Sequence, residues 1–164
     1  MIRAIGFAVG ALLVAVAAIG VVFAIGMRTK YPPVTTAVRR MNRKVMNPRA
    51  MKTAGTPGAY AGVIRHVGRT SGTEYETPIG PYATDDGFVV ALPYGTSPDW
   101  LRNLIAAGSA VIVHDGETYV VDHPEIVDST AALDDVPPSE QTSLRVFNVT
   151  EFLRVRIVDA DAAE

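Results

Sequence analysis

The sequence predicts a mainly β domain, an antiparallel sheet or barrel with a few helices (α+β), carried on one N-terminal transmembrane helix. Three observations predict it. Residues 4–26 are 23 consecutive positions without a charge or a strongly polar side chain; as a helix they reach about 34 Å, enough to cross a hydrocarbon core of roughly 30 Å. Residues 28–52 hold eight basic side chains and no acidic one. From Tyr60 onward, short apolar runs are broken by turn residues at intervals of about ten, the spacing of an antiparallel sheet.

The apolar run has a competing reading as a cleaved signal peptide, with Arg3 as its positive n-region and Ala15, Ala17 and Ala18 as small residues for cleavage. A signal h-region is usually only ~7–15 residues long, so the anchor is the better reading. One Arg precedes the span, and Arg28, Lys30, Arg39, Arg40, Arg43, Lys44, Arg49 and Lys52 follow it. The positive-inside bias then makes this a single-pass protein of the cell membrane with its C-terminal domain in the cytoplasm. Within the basic stretch, Val38, Met41 and Val45 share one helical face while Arg39, Arg40, Arg43 and Lys44 spread around the others. That is the pattern of an interfacial amphipathic helix on membrane lipid. The chain thus divides into an anchor (residues 1–27), a basic helical juxtamembrane segment (28–52) and one body (53–164), of a size that suits a single domain.

The body holds six basic side chains against all seventeen acidic ones. Such a surface is kept soluble, is held off an anionic leaflet and is a poor partner for nucleic acid. The absence of cysteine excludes disulfides, thiolate metal sites and cysteine nucleophiles.

Along the body, residues 60–67 read as a strand, Gly68-Arg69-Thr70-Ser71-Gly72 as a glycine-bracketed turn, and residues 74–82 as the return strand, ending near Pro81. Asp85-Asp86-Gly87 is a turn before the apolar strand 88–92. A helix follows in which Ser97 caps, Pro98 takes the first position, Asp99 complements the dipole and Gly108 ends the run. Trp100, Leu101, Leu104 and Ile105 give it one apolar face. Strands 110–114 and 117–127 form a hairpin across Asp115-Gly116. A polar, proline-containing stretch over 128–140 leads to a short helix around Ser143, and residues 152–158 alternate as a closing strand.

The chain has no phosphate loop, HExxH, GxSxG or GxGxxG. His66, His114 and His123 share no local spacing, which makes each a structural or surface residue before it is a ligand or base. The informative segment is residues 66–77. Gly68 to Gly72 can turn a run of backbone amides toward an anion beside Arg69, Thr70 and Ser71; the alternative is an ordinary polar hairpin turn.

The order His66-Val67-Gly68-Arg69-Thr70-Ser71-Gly72, Thr77-Pro78, Asp85 to Gly87 with its apolar strand, and Asp99-Trp100-Leu101-Arg102-Asn103-Leu104 before Ala107-Gly108 resembles the deazaflavin-dependent nitroreductase and quinone reductase family. The resemblance covers roughly residues 60–127. It implies a split β-barrel of the flavin-reductase type and an oxidoreductase that uses the deazaflavin coenzyme F-420 to pass hydride to quinones, nitroaromatics or similar acceptors. By position, Gly68, Arg69, Thr70, Ser71 and Gly72 would hold the coenzyme's phosphate and tail. Pro78 and Ile79 would lie beside its ring system and Trp100 would flank the pocket, with Arg102 and Asn103 one turn further on. No metal is implied.

This chain departs from relatives in having Thr70 after the turn arginine and Leu92-Pro93-Tyr94-Gly95 in the next loop, where many have basic residues. The tyrosine-rich C-terminal segment of the prototypes is replaced by a region with Arg145, Phe147 and Phe152. With the anchor, the expectation is hydride delivery to a quinone at the bilayer interface, Tyr94 or solvent supplying a proton. The alternatives are FMN, haem or a lipid in the same cleft, or a non-catalytic subunit of a membrane complex. Barrels of this type often pair, so a homodimer is implied as well.

Overall fold

The computed structural model describes the backbone of residues 2–158, together with the side chains of residue 10 and residues 12–158. An N-terminal arm comprises α1 (Ile2–Arg28), α2 (Pro32–Met41), a π-turn (Asn42–Met46) and α3 (Asn47–Ala50). The body follows as β1 (Gly62–Val67), β2 (Glu74–Ile79), β3 (Pro81–Ala83), β4 (Gly87–Ala91), α4 (Asp99–Ala107), β5 (Ser109–His114), β6 (Glu117–Asp128), α5 (Ser129–Ala132), a 3-10 turn (Leu133–Asp135), α6 (Pro138–Val146) and β7 (Glu151–Ile157).

The arm bends where its sequence demands it. Lys30 adopts φ 55°, and Pro32 and Pro33 can begin a new helix but not extend the old one. Gly26 sits against Val34 so closely that a Cβ there would lie 2.6 Å from Val34 Cγ2. Further on, Pro48 has no N–H for the i→i−4 ladder, and the helix widens to a π-turn just before it. Among the residues whose side chains are described, no single helix is long and apolar enough to cross a membrane; Leu12–Arg28 qualifies only together with Pro32–Ala50, at a bend of 101°.

The seven strands form one antiparallel sheet in the order β2-β1-β5-β6-β7-β4-β3. Only Gly80 separates β2 from β3, the two ends of that order. Because consecutive Cα atoms are ~3.8 Å apart, the two edges must meet, so the sheet curls on itself and its seam is closed by the chain instead of a hydrogen-bonded ladder. Prolines 78 and 81 lie on these edge strands, where a missing N–H costs no ladder bond. β6 bends at a register shift between Asp122 and Glu125, with His123 at φ 48°, and so pairs first with β5 and then with β7.

Side-chain alternation gives β4 two buried faces. Phe88 and Val90 point into the main core with Ile64, Leu101, Leu104 and Leu153, while Val89 joins Tyr82, Val136 and Phe152 under α5 and α6. Three local expectations are corrected. The return strand over 74–82 is two strands, broken at Gly80; Tyr60 precedes β1 instead of beginning it; and Ser97 does not cap α4, whose N-cap is Pro98 with no side-chain bond. The Ser97 hydroxyl instead accepts from Arg39 at 3.1 Å. Gly108 ends α4 in the left-handed conformation (φ 76°), its amide donating to Leu104 O at 2.8 Å, as expected of a C-cap glycine.

Candidate functional site

The glycine turn joins β1 to β2 and folds against the start of α4. Within it Gly68 N donates to Thr73 O and Gly72 N to Gly68 O, both at 2.8 Å. Gly72 has φ 65°, and a Cβ on Gly68 would come within 2.9 Å of the Tyr75 ring and run into the Ser71 hydroxyl. The left-handed backbone at Gly72 favours glycine, and a side chain at Gly68 would displace Ser71 and Tyr75. Thr73 N reaches Ser71 Oγ at 3.3 Å and Arg69 N reaches Asn103 Oδ1 at 3.2 Å. Of the expected run of amides, those of Thr70 and Ser71 donate to no group among the described residues. The cradle is thus narrower than the sequence suggests, with two open amides.

Arg69 is turned toward α4. Its Nη1 donates to Asn103 Oδ1 at 2.8 Å and lies 3.4 Å from Asp99 Oδ1, which also takes Arg102 at 2.7 Å. Asn103 is 4% exposed in the interior of a helix, where it is tolerated because both its amide oxygen and its amide nitrogen are bonded. With Oδ1 accepting twice from Arg69, its Nδ2 donates to His66 Nδ1 at 3.1 Å. His66 Nδ1 is then an acceptor, so Nε2 carries the proton and donates to Thr77 Oγ1 at 3.2 Å. The imidazole is 7% exposed and stacks on Tyr75 at 5.7 Å. Burial pushes its pKa below the ordinary 6.5, against a smaller opposing pull from Asp99, and holds the ring neutral.

The chain Arg69–Asn103–His66–Thr77 thus ties turn, helix and edge strand into one surface. The sequence contains all four residues within its informative segments. Their mutual bonding was not legible, since 37 positions separate Asn103 from His66.

The remaining expected site residues are placed unevenly. Trp100 is half-buried, packed against the main core at the start of α4. Pro78 is half-buried on β2 beside Thr77. Ile79 is 7% exposed and belongs to the core, so its side chain supports this surface from within. Tyr94 faces the arm: its hydroxyl accepts from Asn42 Nδ2 at 2.7 Å, and burial pushes its phenol up. Lys30 Nζ donates to Pro93 O at 2.9 Å in the same loop. The arm therefore holds the segment leading into α4 at Pro93, Tyr94 and Ser97.

No family model and no curated protein matches the chain. Solved structures are similar in part. One, described as a reductase dependent on the reduced coenzyme F-420, has 12% identity and a TM-score of 0.41 over 59% of this chain and 94% of its own. A second, described as an F-420 reductase, has 11% identity and a TM-score of 0.44 over 61% and 87%. A third, described as a domain-swapped dimer, has 11% identity and a TM-score of 0.46 over 74% and 98%.

Proposed function

We propose that this chain is a membrane-anchored oxidoreductase whose body holds the deazaflavin coenzyme F-420 between the glycine turn and α4 and passes hydride to a quinone or similar lipophilic acceptor. The observation that carries the proposal is Asn103, which bonds both the backbone and the guanidinium of Arg69 and so joins the two halves of the motif in space. The residues fit an anionic tail: two open amides at Thr70 and Ser71 follow Arg69 in the same turn, with Arg102 on the next helix.

When bound, the coenzyme supplies the hydride chemistry itself. Arg69, Thr70 and Ser71 grip its tail, Asn103 and neutral His66 hold the turn in place, and Pro78 and Trp100 border the ring. Tyr94 is engaged by Asn42 and its raised pKa keeps its proton, so solvent is the better proton source for the reduced acceptor.

The anchor is supported by α1, where Leu12, Leu13, Val14 and Ile19 are 63–71% exposed. A contiguous apolar surface of that kind favours lipid over water. The cations that follow it favour a cytoplasmic body.

Fluorescence titration of the full chain in detergent tests the reading, with the deazaflavin coenzyme and, separately, FMN. The expected result is deazaflavin binding that Arg69→Ala weakens by about tenfold or more. An unchanged dissociation constant refutes the role of Arg69, and FMN binding alone changes the cofactor. A second reading, a non-catalytic subunit of a membrane complex, is favoured by the pairing of the Arg69 guanidinium with Asp99, which already offsets its charge. It predicts binding of neither flavin and co-elution with partners in fixed ratio.

A further inference from the structure

Two adjoining clefts of about 430 and 280 Å³ open near the other end of β1, both walled by Ala59 and Tyr60. Tyr60 precedes β1 and the glycine turn follows it, so some 20 Å of extended chain separates these clefts from the site above. In the smaller one, groups from separate parts of the body converge: Tyr60, Tyr82 on β3, His114 on β5 and Glu140 on α6. Both phenols donate to the same oxygen, Glu140 Oε2, Tyr82 at 2.7 Å and Tyr60 at 3.1 Å.

We propose that this cleft is a second binding site, for a primary alkylammonium ion held between Glu140 and the face of Tyr60. Glu140 is half-buried, yet no Lys, Arg or His stands within ion-pair reach of it among the described residues. Its Oε1 has no hydrogen-bond partner among them. A carboxylate withdrawn from water without a counter-ion is unfavourable, and two neutral phenols offset that only in part.

The other acid of the wall, Asp135, is already bonded to Arg154 at 2.7 Å, so the unmatched charge is that of Glu140. His114 stands in the same wall, but its Nδ1 is shut off from solvent and lies out of reach of an ion in the cleft. A primary ammonium carries three donors, one for the free Oε1 and the others for water at the cleft mouth. Tyr60 lies over Gly80, where a Cβ would come 3.2 Å from the hydroxyl, and its exposed ring offers the π-face that cations favour. Pro81, Ala83 and Pro137 line the wall as apolar contacts for the alkyl chain. Burial and the neighbouring Glu140 push both phenols upward, so they remain donors and do not compete for the cation. This assignment is independent of the coenzyme reading.

Calorimetric titration of the full chain in an uncharged detergent at neutral pH tests it, with n-butylammonium chloride as probe and n-butanol as its uncharged match. The expected result is saturable binding of the ammonium and none of the alcohol. Glu140→Gln is expected to weaken binding by about tenfold or more, the loss of one charge-assisted hydrogen bond. Tyr60→Ala, at an exposed position, carries the same test if Glu140→Gln fails to fold, with a several-fold loss expected. Absence of saturable ammonium binding, equal binding of the alcohol, or an affinity unchanged by the variants overturns the assignment.

Discussion

The arm and the body use apolar side chains in opposite ways. In the body, Leu101, Leu104 and Leu153 are fully buried, and polar groups that enter the interior, such as Asn103 and His66, are bonded to one another. In the arm, Leu12, Leu13 and Val14 stand exposed, and the polar groups reach across to the body: Arg28 to the carbonyls of Arg145 and Val146, Lys30 to Pro93, Asn42 to Tyr94. The difference teaches that hydropathy alone does not locate the core of this chain. The body is held by what it hides, the arm by a few polar grips at its root together with buried Met27 and the edge-to-face pair Phe23–Phe147 at 6.4 Å.

The sharpest break of this contrast is Leu104→Ala, at a position with no exposure. It is expected to destabilise the body by about 2–5 kcal/mol, read from urea unfolding of the full chain in detergent. A loss under 1 kcal/mol would place Leu104 outside a packed core. Next is Asn103→Ala, which leaves His66 Nδ1 and the Arg69 amide without their partner at a cost of about 1–3 kcal/mol.

A smaller effect comes from pH. Because the folded His66 has a pKa below 6.5, the unfolded chain takes up a proton before the folded one does, and stability falls as pH drops below 6.5. In Asn103→Asp the donor facing Nδ1 becomes an acceptor, the ring is drawn toward its charged form, and this acid loss shrinks; an identical pH profile would show that Asn103 does not set the state of His66. The smallest effect belongs to the arm. Leu13→Ala, at 65% exposure, is expected to change the body's unfolding free energy by about 0.5 kcal/mol or less.

Much of the body was legible because its signals are local. The Asp115-Gly116 hairpin has both residues at positive φ, 50° and 84°, as a two-residue loop of that composition favours. The helix ending at Gly108 and the alternation of β7 follow from side chains within a few positions of one another. The break at Gly80 had a local signal in the Gly80-Pro81 pair, which the reading of one strand over 74–82 passed over because apolar residues flank it on both sides. Helix α5 was passed over, although Asp128 accepts from Thr130 N and Ala131 N as a capping residue does, because its four residues are too few for a period.

In the candidate site, the glycine turn and α4 were each visible, but their bonding was not. Ser97 reads as a cap until Arg39, 58 positions earlier, takes its hydroxyl. The convergence of Tyr60, Tyr82 and Glu140 spans separations of 80 and 58 positions, which no local pattern encodes.

The seam at Gly80 makes the curled sheet a belt fastened at one notch. Seven strands are laced by hydrogen bonds along their lengths, but the last gap is crossed by a single residue whose two dihedral angles are the least restricted of any amino acid. Pro81 follows at once, with its own φ fixed, and narrows what that residue can adopt, so the notch holds its setting. Tyr60, lying across it and tethered to α6 through Glu140, is the buckle that sets the fit.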